Sequence, residues 1–193
     1  EVINAIRKKH IPTLAGNHDA VVGLPTNSPS GVFTNGVIGT SEKAYVLSLP
    51  AHIRLEFQLP TQRIQFLFVH GSPRRNDEYI TEDTDAELLL KLMEEADADV
   101  LCFGHSHKPF YRILQTENGY KHAVNLGSLG KPKDGDSRGC YAVLEWDVNF
   151  SLQDPKGLKV DFQRVAYDLE KATSAIEASS LPNAFAQALR DGK

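Results

Sequence analysis

The chain has 193 residues, of which 41% are hydrophobic and 24% are charged, and its net charge is −4 at pH 7. This composition is ordinary for a globular protein with an apolar core, and we expect residues 1–193 to form a single domain. The negative net charge argues against a binder of duplex nucleic acid, and no apolar stretch approaches the length of a membrane span. We therefore expect a soluble, cytoplasmic protein and leave its oligomeric state open.

The first fifty residues contain one amphipathic pattern and several turn signals. Residues 1–9 carry apolar side chains at positions 2, 3 and 6 with a basic end, which predicts a helix. Because this helix lacks a capping residue at its start, we expect the chain to be a fragment of a longer gene product. Residues 11–15 predict a short buried strand, residues 20–30 a turn-rich surface loop, and residues 41–49 a short helix.

Next along the chain, alternating apolar and polar residues predict a β-hairpin. Its strands are residues 53–59 and 64–69, and it ends at His70. Residues 84–96 predict a helix, with Thr84 as its cap and Glu87 at the third helical position. Residues 99–103 then predict a buried strand.

The last part of the chain is rich in predicted strands, and the two cysteines lie in such runs. We expect these strands to form a second sheet, interrupted by a glycine-rich loop at residues 127–139 and followed by two helices. The strands are residues 111–115, 122–124, 140–146 and 158–166, and the helices are residues 167–178 and 182–189. Cys102 and Cys140 are far from any Cys-x-x-Cys spacing, so both are predicted to be buried thiols.

Three segments with polar, metal-ligating residues follow the ends of predicted strands. They are Gly-Asn-His-Asp at residues 16–19, Val-His-Gly-Ser-Pro at 69–73 and Gly-His-Ser-His-Lys-Pro at 104–109. Open α/β sheets gather such residues at the ends of their strands. Two imidazoles two residues apart can face one small volume, and imidazole binds Mn, Fe, Co, Ni or Zn. The segments therefore predict a site for two metal ions that cleaves phosphoesters.

His18 and Asp19 suggest an acid beside these metals. If Asn17 is a ligand, His18 lies at the rim of the site and can protonate a leaving oxygen, with Asp19 orienting its ring. The alternative is that Asn17 and Asp19 only shape a turn. The remaining histidines, His10, His52 and His122, lack such contexts and are interpreted as surface or core residues.

Taken in this order, the three segments resemble the later motifs of the calcineurin-like metallophosphoesterases. Val69-His-Gly-Ser-Pro73 followed by Glu78-Tyr79, and Val124-Asn-Leu-Gly-Ser128 followed by Lys131-Pro-Lys-Asp-Gly-Asp136, resemble the small prokaryotic phosphodiesterase branch. The resemblance runs from the start of the chain to Trp146. It implies a mixed α/β fold, a two-sheet β-sandwich flanked by helices.

The resemblance also implies roles for individual residues. Asn17, His70 and His105 would bind one divalent metal ion and His107 a second, with Mn the first choice and Fe, Ni, Co or Zn as alternatives. His18 would lie beside the scissile phosphate, supported by Asp19. The attacking group would be a hydroxide that bridges the two metal ions.

The chain departs from this family pattern at its beginning. The family's Asp-x-His motif and its bridging Asp from a Gly-Asp motif are absent from residues 1–16, and four neutral ligands compensate two dications poorly. We therefore expect the first strand-helix-strand of the fold to be missing and this chain to be weak or inactive. Asp77, Glu78 and Asp134 lie in charged loops, where we expect solvated roles.

These observations predict a metal-dependent phosphoesterase that prefers phosphodiesters to monoesters. Its substrate would be a small phosphoester or a nucleotide, and one or two of the nearby basic residues would pair with phosphate. These basic residues are Arg74, Arg75, Lys108, Lys131 and Lys133. The alternative is a non-catalytic protein-interaction scaffold on the same fold with an incomplete metal site.

Overall fold

The computed structural model describes all residues from Glu1 to Lys193 and is built around a five-stranded mixed sheet. The strand order is β1-β2-β3-β5-β4, in which β2, β3 and β5 run parallel while β1 and β4 pair antiparallel at the two edges. The strands are β1 His52–Gln58, β2 Arg63–Val69, β3 Val100–Phe103, β4 Phe110–Thr116 and β5 Gly119–Asn125.

A two-stranded antiparallel sheet and six α-helices complete the fold. The second sheet consists of β6 Gly139–Glu145 and β7 Lys159–Val165. The helices are α1 Val2–Lys8, α2 Pro29–Val37, α3 Thr40–Leu47, α4 Ala86–Glu95, α5 Leu169–Glu177 and α6 Asn183–Asp191, and a short 3₁₀ turn spans Asp19–Val21. No helix is long and apolar enough to cross a membrane.

Both faces of the central sheet are covered, which explains the continuous apolar runs of its inner strands. Alternate side chains of β2 point to opposite faces, so that Leu67 packs in one core cluster and Phe66 in the other. Helix α4 covers the first face with its buried Leu89, Leu92 and Met93. The second sheet covers the other face, where Phe66 lies between the rings of Phe57 and Trp146.

The sheet topology places three loops at one edge. Because β2, β3 and β5 are parallel, their carboxyl ends lie at the same side of the sheet, where α/β proteins build their sites. His70 follows β2, His105 follows β3, and the loop that starts at Leu126 follows β5. The Gly104 backbone N–H donates to the carbonyl oxygen of His70 at 2.9 Å, which ties the first two loops together.

The strand predicted at residues 11–15 is wrong. These residues are in no sheet, Ile11 is 48% exposed, and the segment contacts a neighbouring backbone through one hydrogen bond, from the Ala15 N–H to the Pro50 carbonyl oxygen at 2.8 Å. A strand requires a ladder of backbone hydrogen bonds to a partner, and this single bond does not form one.

The predicted division into sheets is also wrong in part. The strands at residues 111–115 and 122–124 belong to the central sheet as β4 and β5, and only β6 and β7 form the second one. Strand β5 joins β3 because its last four residues are buried and leave no polar face for solvent. The pattern of a single strand does not identify its partner.

Two helix starts differ from the predictions. Helix α4 is capped by Asp85, whose carboxylate accepts from the Leu88 N–H at 3.0 Å, whereas the Thr84 hydroxyl accepts from the Thr81 N–H. Helix α2 begins inside the predicted loop, with Ser28 as its cap and Pro29 in its first turn. The remaining predicted helices are confirmed, as are the hairpin and the burial of Cys102 and Cys140.

His122 is a fully buried core residue, and we predict that it makes the fold sensitive to acid. Burial lowers its pKa from 6.5 to about 4, and its Nδ1 atom pairs with the Tyr111 hydroxyl at 2.6 Å. Above pH 6.5 the ring is neutral in both the folded and unfolded states and has no effect. As the pH falls from 6.5 towards 4, the unfolded chain binds the proton first, so the free energy of unfolding decreases.

The expected decrease from this residue is about 3 kcal/mol. Urea unfolding between pH 8 and pH 4 measures it, with His122→Leu as the test variant and the exposed His52→Leu as the matched control. The Tyr111 hydroxyl keeps the Leu158 carbonyl oxygen as its acceptor in the test variant. An acid dependence unchanged by His122→Leu would contradict the prediction.

Candidate metal centre

Asn17, His70 and His105 meet in space, although they come from three distant segments. His70 Nε2 lies 2.9 Å from Asn17 Oδ1 and 3.1 Å from His105 Nδ1. One N–H on His70 cannot be shared well between two partners on different sides. In addition, His105 Nε2 is buried and has no hydrogen-bond partner. The cluster therefore has more lone pairs than protons to satisfy them.

The backbone at His105 and His107 is left-handed, with φ of 59° and 61°. This conformation is costly for residues other than glycine and occurs where the surrounding structure imposes it. Asn125, at the end of β5, supplies part of that restraint. Its Nδ2 donates to the Gly104 carbonyl oxygen and to Ser106 Oγ, each at 2.9 Å, and its Oδ1 accepts from the Gly127 N–H at 3.0 Å.

Gly16 allows the first segment to approach His70 closely. A Cβ atom added at this position would lie 3.1 Å from both Cε1 and Nδ1 of the His70 ring, which is tighter than ordinary contact. The Gly16 N–H donates to the Asp19 carboxylate at 2.8 Å. Asp19 thus closes the turn that presents Asn17, which favours the turn-shaping alternative, and its support of His18 stays a prediction. A carboxylate three residues after a free N–H is well placed to bind it.

His107 is held by a backbone group of the loop that follows β5. Its Nδ1–H donates to the Lys131 carbonyl oxygen at 2.6 Å, which leaves the lone pair on Nε2. Histidines that bind metal ions are commonly fixed in this way, with the second ring nitrogen on a carbonyl oxygen or carboxylate. His107 is therefore in the tautomer that a metal ligand needs.

His18 and His107 lie on the wall of one cavity of about 530 Å³, together with Asp19, Lys131 and Phe185. His18 is exposed at the start of the 3₁₀ turn. The rim location of His18 relative to a metal ion stays a prediction. Because both imidazoles line this cavity, a substrate placed in it would meet His18 and His107 together.

The imidazoles of the cluster are neutral at physiological pH. Burial and, to a smaller extent, the neighbouring His105 lower the pKa of His70 to about 4, while Asp19 opposes the shift. Burial also lowers the pKa values of His105 and His107, opposed in part by the backbone of Asp77 and of Lys131, respectively. Neutral imidazoles have the lone pairs that metal binding requires.

The acidic residues of the neighbouring loops have other partners. Asp77 pairs with Arg75 at 2.9 Å, Glu78 accepts from the Ser72 hydroxyl, and Asp134 pairs with Arg164. Arg74 pairs with Glu95 at 2.7 Å. Lys131 and Lys133 lie near enough to His107 to lower its pKa. Of the basic residues considered, these two lysines are therefore best placed to attract phosphate.

We tested whether the cluster fits a metal ion by its donor separations. Two neighbouring ligands about 2.1 Å from one ion are roughly 3.0 Å apart when they subtend a right angle. The observed separations of 2.9 and 3.1 Å match this value. No group of three or more His, Cys, Asp or Glu side chains is arranged to hold an ion, because the third donor is the Asn17 amide. The donor separations fit a bound cation, but the three ligands are neutral and do not compensate its charge.

Two residues that shape the cluster were not among the predicted site residues, although both stand in segments that carry the family resemblance. Tyr79 packs against His105 with ring centroids 4.1 Å apart and ring planes tilted by 39°, and Asn125 restrains the His105 loop as described above. An asparagine that ends an apolar strand just before a glycine-containing turn is a signal that could have identified the second. Nothing in the local pattern around Tyr79 indicates its contact.

His70 and His105 follow the carboxyl ends of two parallel strands, and the Asn17 amide joins them from a loop, an arrangement typical of a metal site in an α/β fold. The profile of the calcineurin-like phosphoesterase superfamily domain matches residues 1–149. The chain therefore belongs to the calcineurin-like phosphoesterase superfamily, which uses divalent metal ions to hydrolyse phosphoesters.

Similar proteins agree with this assignment. A crystal structure of a metallophosphoesterase from Sphaerobacter thermophilus is 25% identical, with a TM-score of 0.75 over 99% of this chain and 81% of that chain. The hypothetical protein PH1004 from Pyrococcus horikoshii OT3 shares the fold, with 20% identity and a TM-score of 0.75 over 100% of this chain and 79% of that one. The uncharacterized protein MJ0912 of Methanocaldococcus jannaschii is 24% identical over 100% of this chain and 80% of its own length.

Proposed function

We propose that the protein hydrolyses phosphodiesters by means of two divalent metal ions, with Mn²⁺ as the preferred ion. The observation that carries the proposal is that His70 Nε2 lies 2.9 Å from Asn17 Oδ1 and 3.1 Å from His105 Nδ1. These three residues would hold one ion, and His107, through its free Nε2, would hold the second. When bound, such ions polarise a phosphoryl group and acidify water.

The other residues of the cavity have roles that follow from their positions. His18 lies on the same cavity wall as His107 and can donate a proton to the leaving oxygen as a general acid. The ammonium group of Lys131 lies at this wall and can pair with a phosphate oxygen. Gly16 and Asn125 act indirectly, because they fix the positions of His70 and of the His105 loop.

We further propose a small phosphoester or a nucleotide as the substrate and the cytoplasm as the site of action. The cavity of about 530 Å³ is the size of a typical small-molecule pocket. Cys102 and Cys140 are both free thiols, which fits a reducing compartment. The net charge of −4 does not favour a polyanion such as duplex DNA as a partner.

Hydrolysis of bis(p-nitrophenyl) phosphate by the 193-residue chain, with added Mn²⁺ and with EDTA, tests the proposal. We expect turnover that depends on Mn²⁺ and is slow, because the ligands of the cluster are neutral and compensate the ions poorly. Equal rates with Mn²⁺ and with EDTA would contradict the proposal. Absence of both turnover and metal binding would instead favour the alternative of an interaction scaffold.

A further inference from the structure

The cavity beside the metal centre has a wall that lies outside the region matched by the family profile. The profile ends at residue 149, whereas Phe185 of helix α6 lines the cavity together with His18 and His107. His18 and His107 therefore come from the matched domain, and the ring of Phe185 comes from the carboxyl-terminal helices. The lining of the cavity thus combines polar side chains with one aromatic ring.

Phe185 and Lys131 contact each other at this boundary. The Lys131 Nζ atom lies 5.5 Å from the centroid of the Phe185 ring, within the range of a cation–π contact. The carbonyl oxygen of the same lysine accepts the hydrogen bond from His107. Lys131 thus connects the aromatic ring with the imidazole, through its ammonium group on one side and its carbonyl oxygen on the other.

The helix that carries Phe185 is firmly attached. Ala186 and Leu189 of α6 are buried, and Arg190 pairs with Glu177 of α5 at 2.6 Å. At the end of α6, the Gly192 carbonyl oxygen accepts from the Gly135 N–H at 3.0 Å, which joins the helix to the loop that contains Lys131. The ring is therefore presented by an ordered element and would lose little conformational freedom when a ligand binds.

From these contacts we infer that Phe185 and Lys131 form a subsite for the substituent of the phosphoester, and that this substituent is a planar aromatic group such as a nucleobase. The inference rests on the proposed function, because it assumes that the phosphate group of the substrate lies against His18 and His107. The aromatic group stacks on Phe185, as bases stack on aromatic side chains in other proteins. Lys131 pairs with the phosphate oxygen.

A matched pair of ligands tests the subsite without requiring turnover. Adenosine 5′-monophosphate and ribose 5-phosphate share the sugar and the phosphate, and only the first has a base. We expect calorimetric titration in the presence of Mn²⁺ to show at least about fivefold tighter binding of adenosine 5′-monophosphate to the unaltered chain. Phe185→Ala should remove this preference, and Phe185→Trp should retain it.

Two further variants separate the possible causes. Tyr167→Ala removes an aromatic ring that is 39% exposed and does not line the cavity, and it should leave the preference unchanged. Lys131→Met should weaken both ligands by a similar factor, because it removes the contact to phosphate. Equal binding of the two ligands by the unaltered chain, or a preference that survives Phe185→Ala, would overturn the inference.

The hydrolysis assay with bis(p-nitrophenyl) phosphate separates this inference from the proposed function. A preference for the base that is lost in Phe185→Ala, without any Mn²⁺-dependent turnover, would leave the subsite standing and overturn the function. Mn²⁺-dependent turnover without a preference for the base would support the proposed function and overturn the subsite. No binding of either ligand at millimolar concentration would overturn the subsite.

Discussion

Replacement of His70 by alanine is expected to abolish metal binding at the cluster and to lower Mn²⁺-dependent hydrolysis by at least about 100-fold. His70 is the residue that contacts both of its neighbours, through Asn17 Oδ1 and His105 Nδ1. Loss of residues that merely support a ligand commonly costs 10–100-fold in affinity or activity, and loss of a ligand itself costs at least as much.

Titration with Co²⁺, followed by visible absorption, reports metal binding independently of activity. The matched control is His52→Ala, because His52 is exposed and pairs in register with Val69, next to His70, without contacting the cluster. Thermal unfolding followed by circular dichroism shows whether each variant is folded. A folded His70→Ala protein that binds Co²⁺ as well as the unaltered chain would contradict the assignment of His70 as a ligand.

Replacement of Phe66 by alanine is expected to lower the free energy of unfolding by about 3–5 kcal/mol. Phe66 is 1% exposed and lies in the aromatic cluster between the two sheets, with ring centroids 5.3 Å from Phe57 and 4.8 Å from Trp146. The substitution leaves a cavity where the second sheet packs on the first, and the surrounding strands cannot close it fully.

Urea unfolding at pH 7.5 measures the effect. Leu55→Ala is the matched control, because Leu55 pairs with Phe66 across β1 and β2 but is 43% exposed. We expect this control to lose about 1 kcal/mol or less. If Phe66→Ala lost no more than the control, the second sheet would not depend on this contact.

The elements with strong local signals were predictable. The alternation of residues 53–59 and 64–69 identified the hairpin, and the apolar spacing of residues 84–96 identified helix α4. The failures occurred where the outcome depends on distant residues. Residues 11–15 have the composition of a strand but pair with none, and residues 111–124 join the central sheet because β5 pairs with β3.

The candidate site was likewise predictable from local patterns only in part. The residue types and their positions after apolar runs identified Asn17, His70, His105 and His107 as potential ligands, and the structure brings the first three into direct contact. The sequence left two roles open for Asp19, support of His18 or the shaping of a turn, and in the structure its carboxylate accepts from the Gly16 N–H. Tyr79 and Phe185 were missed, since aromatic contacts between remote segments leave no local pattern.

The amino-acid order alone thus predicted which histidines carry the chemistry, because His70 and His105 follow apolar runs that form β2 and β3. It did not specify which of these groups meet. That depends on the parallel pairing of β2, β3 and β5, which places three carboxyl ends at one edge, and on helix α6, which closes the cavity with Phe185. Pairing and docking are decided by the burial of apolar surface over the whole fold, and no single segment contains that information.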